Sequence, residues 1–431
     1  MATRWFLGAL LSVLPTLAVA AGAAPPIPDT PAGHALDSWL TVFNNGDRAG
    51  IEGFVRSRAS WLNLDAHMTW RAQTGGYDLL AIFSSDPTDV VFLLKARATP
   101  GEEIGRVTVS ATNPTQITEL GTFFFPAGAT FIGFRVDDAT RRKVVDTSIA
   151  KMTDLYVFPD VGKKMAQQLA KREKEGAYRG KDGETLAKLL TADLQGISHD
   201  KHLRVNFRPF ELPPLPQAVV GHPQPEPIDC HFVKAERLPK NIGYLKIDGF
   251  VNSDECVQQA IGAMAFLAHV DALIFDMRDN GGGGGGAGGL LLSYLFDTPT
   301  RLSDYYDRRT GQTEHGWTSA NVPGTRLASI PVYVLISHAT FSMGEWFTFQ
   351  LQRSKRATVV GEVSAGGAHT TETEVIDDRF SIRVPFGRPF DPVTNTDWEG
   401  VGIAPDVKVP AADAMAAAVK LATEALRQRE H

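Results

Sequence analysis

The chain has 431 residues, a formal net charge of −6 and 43% hydrophobic residues. That length suggests two or three domains, each with enough apolar residues for a full core. The mildly acidic balance and the lack of any long Lys/Arg block leave no basic field for nucleic acid.

At the start, Met1-Ala-Thr-Arg4 supplies a positive charge ahead of an apolar stretch over residues 5–20. Ala18-Val-Ala20 and Ala21-Gly-Ala23 both fit small-x-small cleavage sites, so residues 1–23 read as a signal peptide. The stretch is short for a membrane span and contains Pro15. No later stretch is long and apolar enough to span a bilayer, which predicts a mature protein that is periplasmic or extracellular. Residues 33–44 and 51–56 then carry a helical pattern, split by Asn45-Gly-Asp47. Strand-like runs follow at 77–84, 89–97, 106–113 and 116–122, separated by turn residues. Helices followed by a meander predict a small α+β domain over residues 31–135, similar in architecture to the cystatin-like or nuclear-transport-factor-like fold.

Residues 137–208 are predicted to be mainly helical. Residues 144–155, 161–176 and 183–194 each have apolar residues at helical spacing. A loop with Asp200-Lys-His-Leu-Arg204 leads into a strand, and residues 208–226 form a Pro-rich linker. Strand and helix then alternate over residues 227–425: strands at 242–247, 272–277, 331–336 and 358–361, helices at 253–268, from 290 and at 343–353. Such alternation predicts an α/β domain with a partly parallel sheet. The two cysteines, Cys230 and Cys256, fit either one disulfide or two buried thiols. No His/Cys cluster has zinc-like spacing, so neither a metal nor a cofactor is expected.

Four segments could carry chemistry. In Pro331-Val-Tyr-Val-Leu-Ile-Ser-His-Ala-Thr-Phe-Ser-Met-Gly-Glu345 a buried strand delivers Ser342 to a helix start. Amides at a helix N-terminus can stabilise an oxyanion, though an ordinary N-cap serine has the same pattern. In Leu273-Ile-Phe-Asp-Met-Arg-Asp-Asn-Gly-Gly-Gly283 a strand opens into a glycine run. Glycines let amides approach a ligand, either as a phosphate loop or as an oxyanion hole, and no Gly-Lys-Ser/Thr supports the phosphate loop. Asp276 and Arg278 read as a structural ion pair. The third segment is Val359-Val-Gly-Glu-Val-Ser-Ala-Gly-Gly-Ala-His369 and the fourth Asp397-Trp-Glu-Gly-Val-Gly-Ile-Ala-Pro-Asp406.

In type and order these four segments resemble the tail-specific, or C-terminal processing, serine peptidases. The branch they resemble contains the repeats of interphotoreceptor retinoid-binding protein and is related to the tricorn protease core. Tyr156-Val-Phe-Pro159 is similar to the N-terminal helical part of that branch. The resemblance implies a crotonase-like α/β core acting on peptide or protein substrates. It places Ser342 at the nucleophile position, and the Gly281–Gly282 turn and Met343 amide at the oxyanion hole. Many such peptidases carry a lysine base in the third motif, but here that position is Gly367 within Ala365-Gly-Gly-Ala368. Lys355 and Lys201 are the nearest lysines by sequence, and neither sits in a fitting motif. The tricorn-like arrangement instead implies His202 as base and Glu399 as its carboxylate. A histidine titrates near neutrality, so it can take the serine proton and return it to the leaving group. The serine that would precede that histidine is replaced by Lys201. His369 is a competing base, or with Gly366 and Gly367 shapes the substrate cleft. A catalytically silent protein binding apolar ligands or peptides on the same fold remains an alternative. An α/β-hydrolase is disfavoured because Thr340-Phe-Ser-Met-Gly344 lacks the first glycine of the nucleophile elbow.

Overall fold

The computed structural model describes residues 25–213 and 228–429. The predicted signal peptide and most of the Pro-rich linker lie outside the described residues. The chain divides into two compact units at Thr130/Phe131.

In the first unit, helices Pro31–Asn45, Arg48–Arg58 and Leu64–Thr74 precede a four-stranded antiparallel sheet. The strands Tyr77–Asp86, Asp89–Ala96, Glu102–Val109 and Ile117–Phe125 lie in chain order. Side chains of Thr30, Asp47 and Asn63 accept from first-turn amides and fix the three helix starts. Trp39, Phe43, Tyr77 and Phe92 form the centre of the core. The third helix has no expectation from the sequence. It buries only His67 and Thr74, so it carries almost no amphipathic signal.

The second unit holds the chemistry-bearing segments. Its main sheet has six strands, in the spatial order Val407–Lys408, Thr358–Gly361, Val332–Ile336, Ala272–Asp276, Ile242–Ile247 and Phe232–Leu238. All neighbours pair in parallel except the last two, which form an antiparallel edge. The strands Ala272–Asp276 and Val332–Ile336 are buried along their whole length, as parallel central strands must be. One face is covered by the helices Asp254–Phe266, Gly286–Ser293 and Met343–Arg353, with Phe275, Leu291 and Phe347 at the centre. Burial of each such side chain contributes roughly 1.5–3 kcal/mol. The other face takes the helix Ala414–Arg429, whose Ala414, Ala418 and Ala422 form an i, i+4 stripe against Ile274 and Leu335.

A second, antiparallel sheet is built from Gln312–Trp317, Arg301–Asp307, Phe380–Phe390 and Thr370–Val375, and Arg204–Phe207 also pairs with Phe380–Phe390. The helices Asp138–Asp154, Pro159–Lys174 and Gly183–Ser198 share a core with this sheet, in which Val144, Leu169, Leu190 and Leu194 join Phe380, Ile382 and Val384. Cys230 and Cys256 form a disulfide that ties the edge-strand segment to the helix Asp254–Phe266. Asp276 and Arg278 make a two-pronged ion pair, and Tyr244 donates to the same carboxylate. No helix among the described residues is long and apolar enough to cross a membrane.

Candidate active site

Ser342 leaves the parallel sheet just before the helix Met343–Arg353, with φ 54° and ψ −116°. A non-glycine residue held in that region costs about 1–3 kcal/mol and persists only where its surroundings fix it. Glu345 provides the fixing. Its buried carboxylate accepts from the Ser342 amide (2.9 Å), the Ser364 hydroxyl (2.6 Å), and the amides of Gly366 (2.7 Å) and Gly367 (2.8 Å). One carboxylate therefore joins the serine turn to the glycine turn of the third motif. Burial outweighs these hydrogen bonds and raises the pKa of Glu345. Glu345 went unassigned in the sequence, although Ser-x-x-Glu at a helix start is the spacing of a capping box.

Gly282 packs directly on the serine. A Cβ there would lie 2.6 Å from Ser342 Cβ, and its φ is 99°. The oxyanion donors expected from the sequence need correcting. The amide of Gly281 donates to Asp248 O (3.1 Å) and that of Gly282 to Asn280 Oδ1 (2.9 Å), so both are engaged. Neither residue lines the cleft, whereas Gly283 does. Gly283 has φ 124° and pairs with Phe250 only through its neighbours, which leaves its own amide without a partner among the described residues. The Met343 amide, at the first position of its helix, is likewise free.

The facing wall is built from the 200–202 loop, the third motif and the fourth. Ser342, Met343, His202 and His369 line one cavity of about 510 Å³. His202 lies on the ring of Phe341, with centroids 4.4 Å apart. Among the described residues its Nδ1 is buried without a hydrogen-bond partner, so Nε2 is the nitrogen with access to the cavity. Burial pushes His202 down to about 4, against the opposing charge of Asp200. His369 Nδ1 bonds Asp200 Oδ2 at 2.5 Å and lies 3.5 Å from Glu399, while its Nε2 is sealed and unpartnered. Burial alone would lower the pKa of His369, but the Asp200 hydrogen bond and the charges of Asp200 and Glu399 raise it.

Glu399 does not hydrogen-bond His202, in contrast to the expected pair. Its Oε2 accepts from the amides of Ala368 (2.6 Å) and His369 (3.2 Å), and Oε1 is buried and unpartnered. Burial and the nearby Asp200 raise its pKa to about 7. Asp200, unassigned in the sequence, links the wall. It accepts from the His202 amide (3.0 Å) and Tyr156 (3.3 Å) besides His369. Its signal was its place two residues before a candidate base. Asp200, His202 and Glu399 bring potential ligand atoms within 4.8 Å of one another, the one such set among the described residues where a cation could sit. Gly366 and Gly367 do not line the cavity, because their amides hold Glu345. A Cβ at Gly367 would meet Phe341 Cε2 at 2.1 Å and His202 Cε1 at 2.7 Å. The space a side chain would need at that position is thus filled by the two rings. Lys201 donates to the carbonyl of Ala365, and Lys355 lines a different cavity.

Residues 241–409 match the model of peptidase family S41. Residues 138–228 match the N-terminal domain of peptidase S41 in eukaryotic IRBP. Carboxyl-terminal-processing peptidase 2, chloroplastic, of Arabidopsis thaliana is 28% identical over 182 residues, 42% of this chain and 34% of that protein. The match thus spans about a third of that relative. Among solved structures, a peptidase from Parabacteroides merdae is 18% identical, with 65% of this chain and 96% of that one covered and a TM-score of 0.49. The photosystem II D1 C-terminal processing protease is 16% identical, with 64% and 94% covered and a TM-score of 0.41. The tricorn protease is 13% identical, with 82% and 42% covered and a TM-score of 0.44. The chain therefore carries a peptidase family S41 domain over residues 241–409, preceded over residues 138–228 by the N-terminal domain that accompanies it in eukaryotic IRBP.

Proposed function

We propose that this protein is an exported serine peptidase with a crotonase-like core, in which Ser342 is the nucleophile and His202 the general base. The observation that carries this reading is one shared cavity lined by Ser342 in its strained turn, by Met343 and Gly283, whose amides lack partners among the described residues, and by His202. Ser342 Oγ would attack the peptide carbonyl as its proton passes to His202 Nε2. The amides of Met343 and Gly283 would hold the oxyanion, aided by the helix N-terminus. The imidazolium then returns its proton to the leaving amine, and water releases the acyl group by the reverse path.

His202 is neutral at physiological pH, as a base must be. Its burial makes the imidazolium costly, and the support for that charge comes from Asp200 and Glu399, whose carboxylates lie close by. His369, clamped by Asp200 and sealed at Nε2, fits a positioning role better than that of base. The domain division that goes with this reading is a signal peptide over 1–23, an α+β domain over 31–135, a helical subdomain over 137–208 and a core over 227–425. Export is supported by the N-terminal pattern and by the Cys230–Cys256 disulfide, which suits an oxidising compartment.

The test is labelling with a fluorophosphonate probe alongside turnover of a peptide library. The wild type is expected to label and Ser342→Ala to do neither. Labelling that survives the substitution removes Ser342 as nucleophile. A wild type that neither labels nor cleaves favours the alternative, a binding protein for apolar ligands or peptides on this fold.

A further inference from the structure

The cavity that holds Ser342 is also lined by Arg383, and no Asp or Glu lines it. Arg383 sits on the strand Phe380–Phe390, directly opposite Arg204 of the antiparallel strand Arg204–Phe207. Residues opposed in this way project from the same face, and like charges so placed repel each other. Natural sheets normally relieve such a pair with a carboxylate. Here neither arginine forms an ion pair among the described residues. Among the described residues, the one side-chain hydrogen bond of Arg383 runs from Nε to the Thr371 hydroxyl, at 2.6 Å. That bond aims the side chain and leaves the two terminal nitrogens without partners among the described residues. Burial first, and then the charge of Arg204, lower its pKa from that of an ordinary arginine, with no carboxylate opposing them.

A half-buried guanidinium with a free fork, pressed by a second cation and opening into the cleft, is a site for a bidentate anion. We propose that Arg383, backed by Arg204, binds a carboxylate of the peptide substrate and so selects which peptides reach Ser342. The carboxylate is either the free α-carboxylate of a chain end or the side chain of a Glu or Asp near the scissile bond. The apolar wall of the same cavity, Met343, Trp346 and Trp398, takes a neighbouring apolar side chain. This inference rests on the peptidase reading of the cavity, and its test is read by binding, without turnover.

The experiment uses the full chain carrying Ser342→Ala and a fluorescent peptide in two forms, free acid and C-terminal amide. Dissociation constants are measured by anisotropy. The free acid should bind at least about tenfold tighter than the amide, as a charge-assisted hydrogen-bonded pair implies. Adding Arg383→Gln should bring the ratio close to one, with Arg383→Lys between the two and Arg204→Gln giving a smaller loss. In a third arm, amidated peptides carry Glu or Gln near the end. A gain from Glu equal to that of the free acid assigns the site to any carboxylate near the scissile bond, and a gain from the free acid alone assigns it to chain ends. The inference is overturned if acid, amide, Glu and Gln forms bind alike, or if Arg383→Gln leaves the preferences intact. Either result leaves the labelling of Ser342 in the wild type untouched, so this failure is distinct from failure of the peptidase reading.

Discussion

The two walls of the cleft are built on opposite principles. On the serine wall almost every polar group is spoken for. Glu345 takes four donors, Asn280 holds the Gly282 amide, and among the described residues the Met343 and Gly283 amides are left without partners. The histidine wall packs two carboxylates and two imidazoles into the interior and leaves His202 Nδ1, His369 Nε2 and Glu399 Oε1 without partners. Unsatisfied buried groups are costly, and they concentrate where a protein does chemistry. The contrast separates a satisfied wall around Ser342 from an electrostatically tense wall of carboxylates and imidazoles.

The largest expected effect distinguishes the two histidines within that tense wall. His202→Ala should lower kcat about 10²–10⁴-fold, the range for loss of a general base. His369→Ala should cost at least tenfold less in kcat, roughly, because on this reading it positions rather than transfers a proton. The pH profile gives the same answer without mutation. If His202 is the base, the acid limb of kcat/KM falls near pH 4, following its lowered value. If His369 were the base, the limb would lie above 6.5, since its pKa is raised from that value. An acid limb above 6.5 reverses the two assignments.

The junction between the walls is tested at Gly367. Family resemblance alone leads to a lysine there, but the rings of Phe341 and His202 occupy the space. Gly367→Ala should cost about 1–3 kcal/mol of stability through overpacking, read as a lower denaturation midpoint, and Gly367→Lys should cost more. Both should also lower kcat by displacing His202. A stable Gly367→Lys protein with undiminished turnover would mean that the cleft can accept the lysine arrangement and that the histidine wall is dispensable.

The serine wall was legible in the sequence and the histidine wall mostly was not. Ser342 stands out because a β-branched run stops and a helical pattern starts, both local signals. That Gly283, rather than Gly281 or Gly282, lines the cavity was missed because amide direction follows backbone torsion, and the three glycines are chemically identical. Only the φ values of 99° and 124° at Gly282 and Gly283, with Asn280 capturing the Gly282 amide, decide it. The Asp200–His369 bond joins residues 169 positions apart, and no periodicity reports such a contact. His202 and Glu399 were found by resemblance, and their failure to pair directly follows from the Ala368 and His369 amides, which hold Glu399 elsewhere. The antiparallel sheet that carries Arg383 was missed as well. Several of its strands, such as Gln312–Trp317 and Thr370–Val375, are exposed and polar and give no buried-strand pattern.

The smallest effect, and the one that isolates the tension itself, concerns Glu399. Its folded-state pKa of about 7 stands above the ordinary 4.5 because burial and Asp200 disfavour its charge. A carboxyl raised in this way binds its proton more tightly folded than unfolded. Its ionisation therefore costs nothing below pH 4.5, costs progressively more as the pH rises, and reaches its full cost above pH 7. That cost is at most about 3 kcal/mol. His369 adds to the same slope, since its raised pKa contributes stability below 6.5 that is lost as the pH climbs through the folded value. Glu399→Gln keeps an oxygen for the Ala368 and His369 amides while removing the carboxylate. It should flatten the fall in stability between pH 5 and 8 without abolishing it, the remainder belonging to His369. Thermal denaturation across that range reads the slope directly. Parallel curves for wild type and Glu399→Gln would mean that Glu399 ionises without cost, and the histidine wall would then be as relaxed as the serine wall it faces.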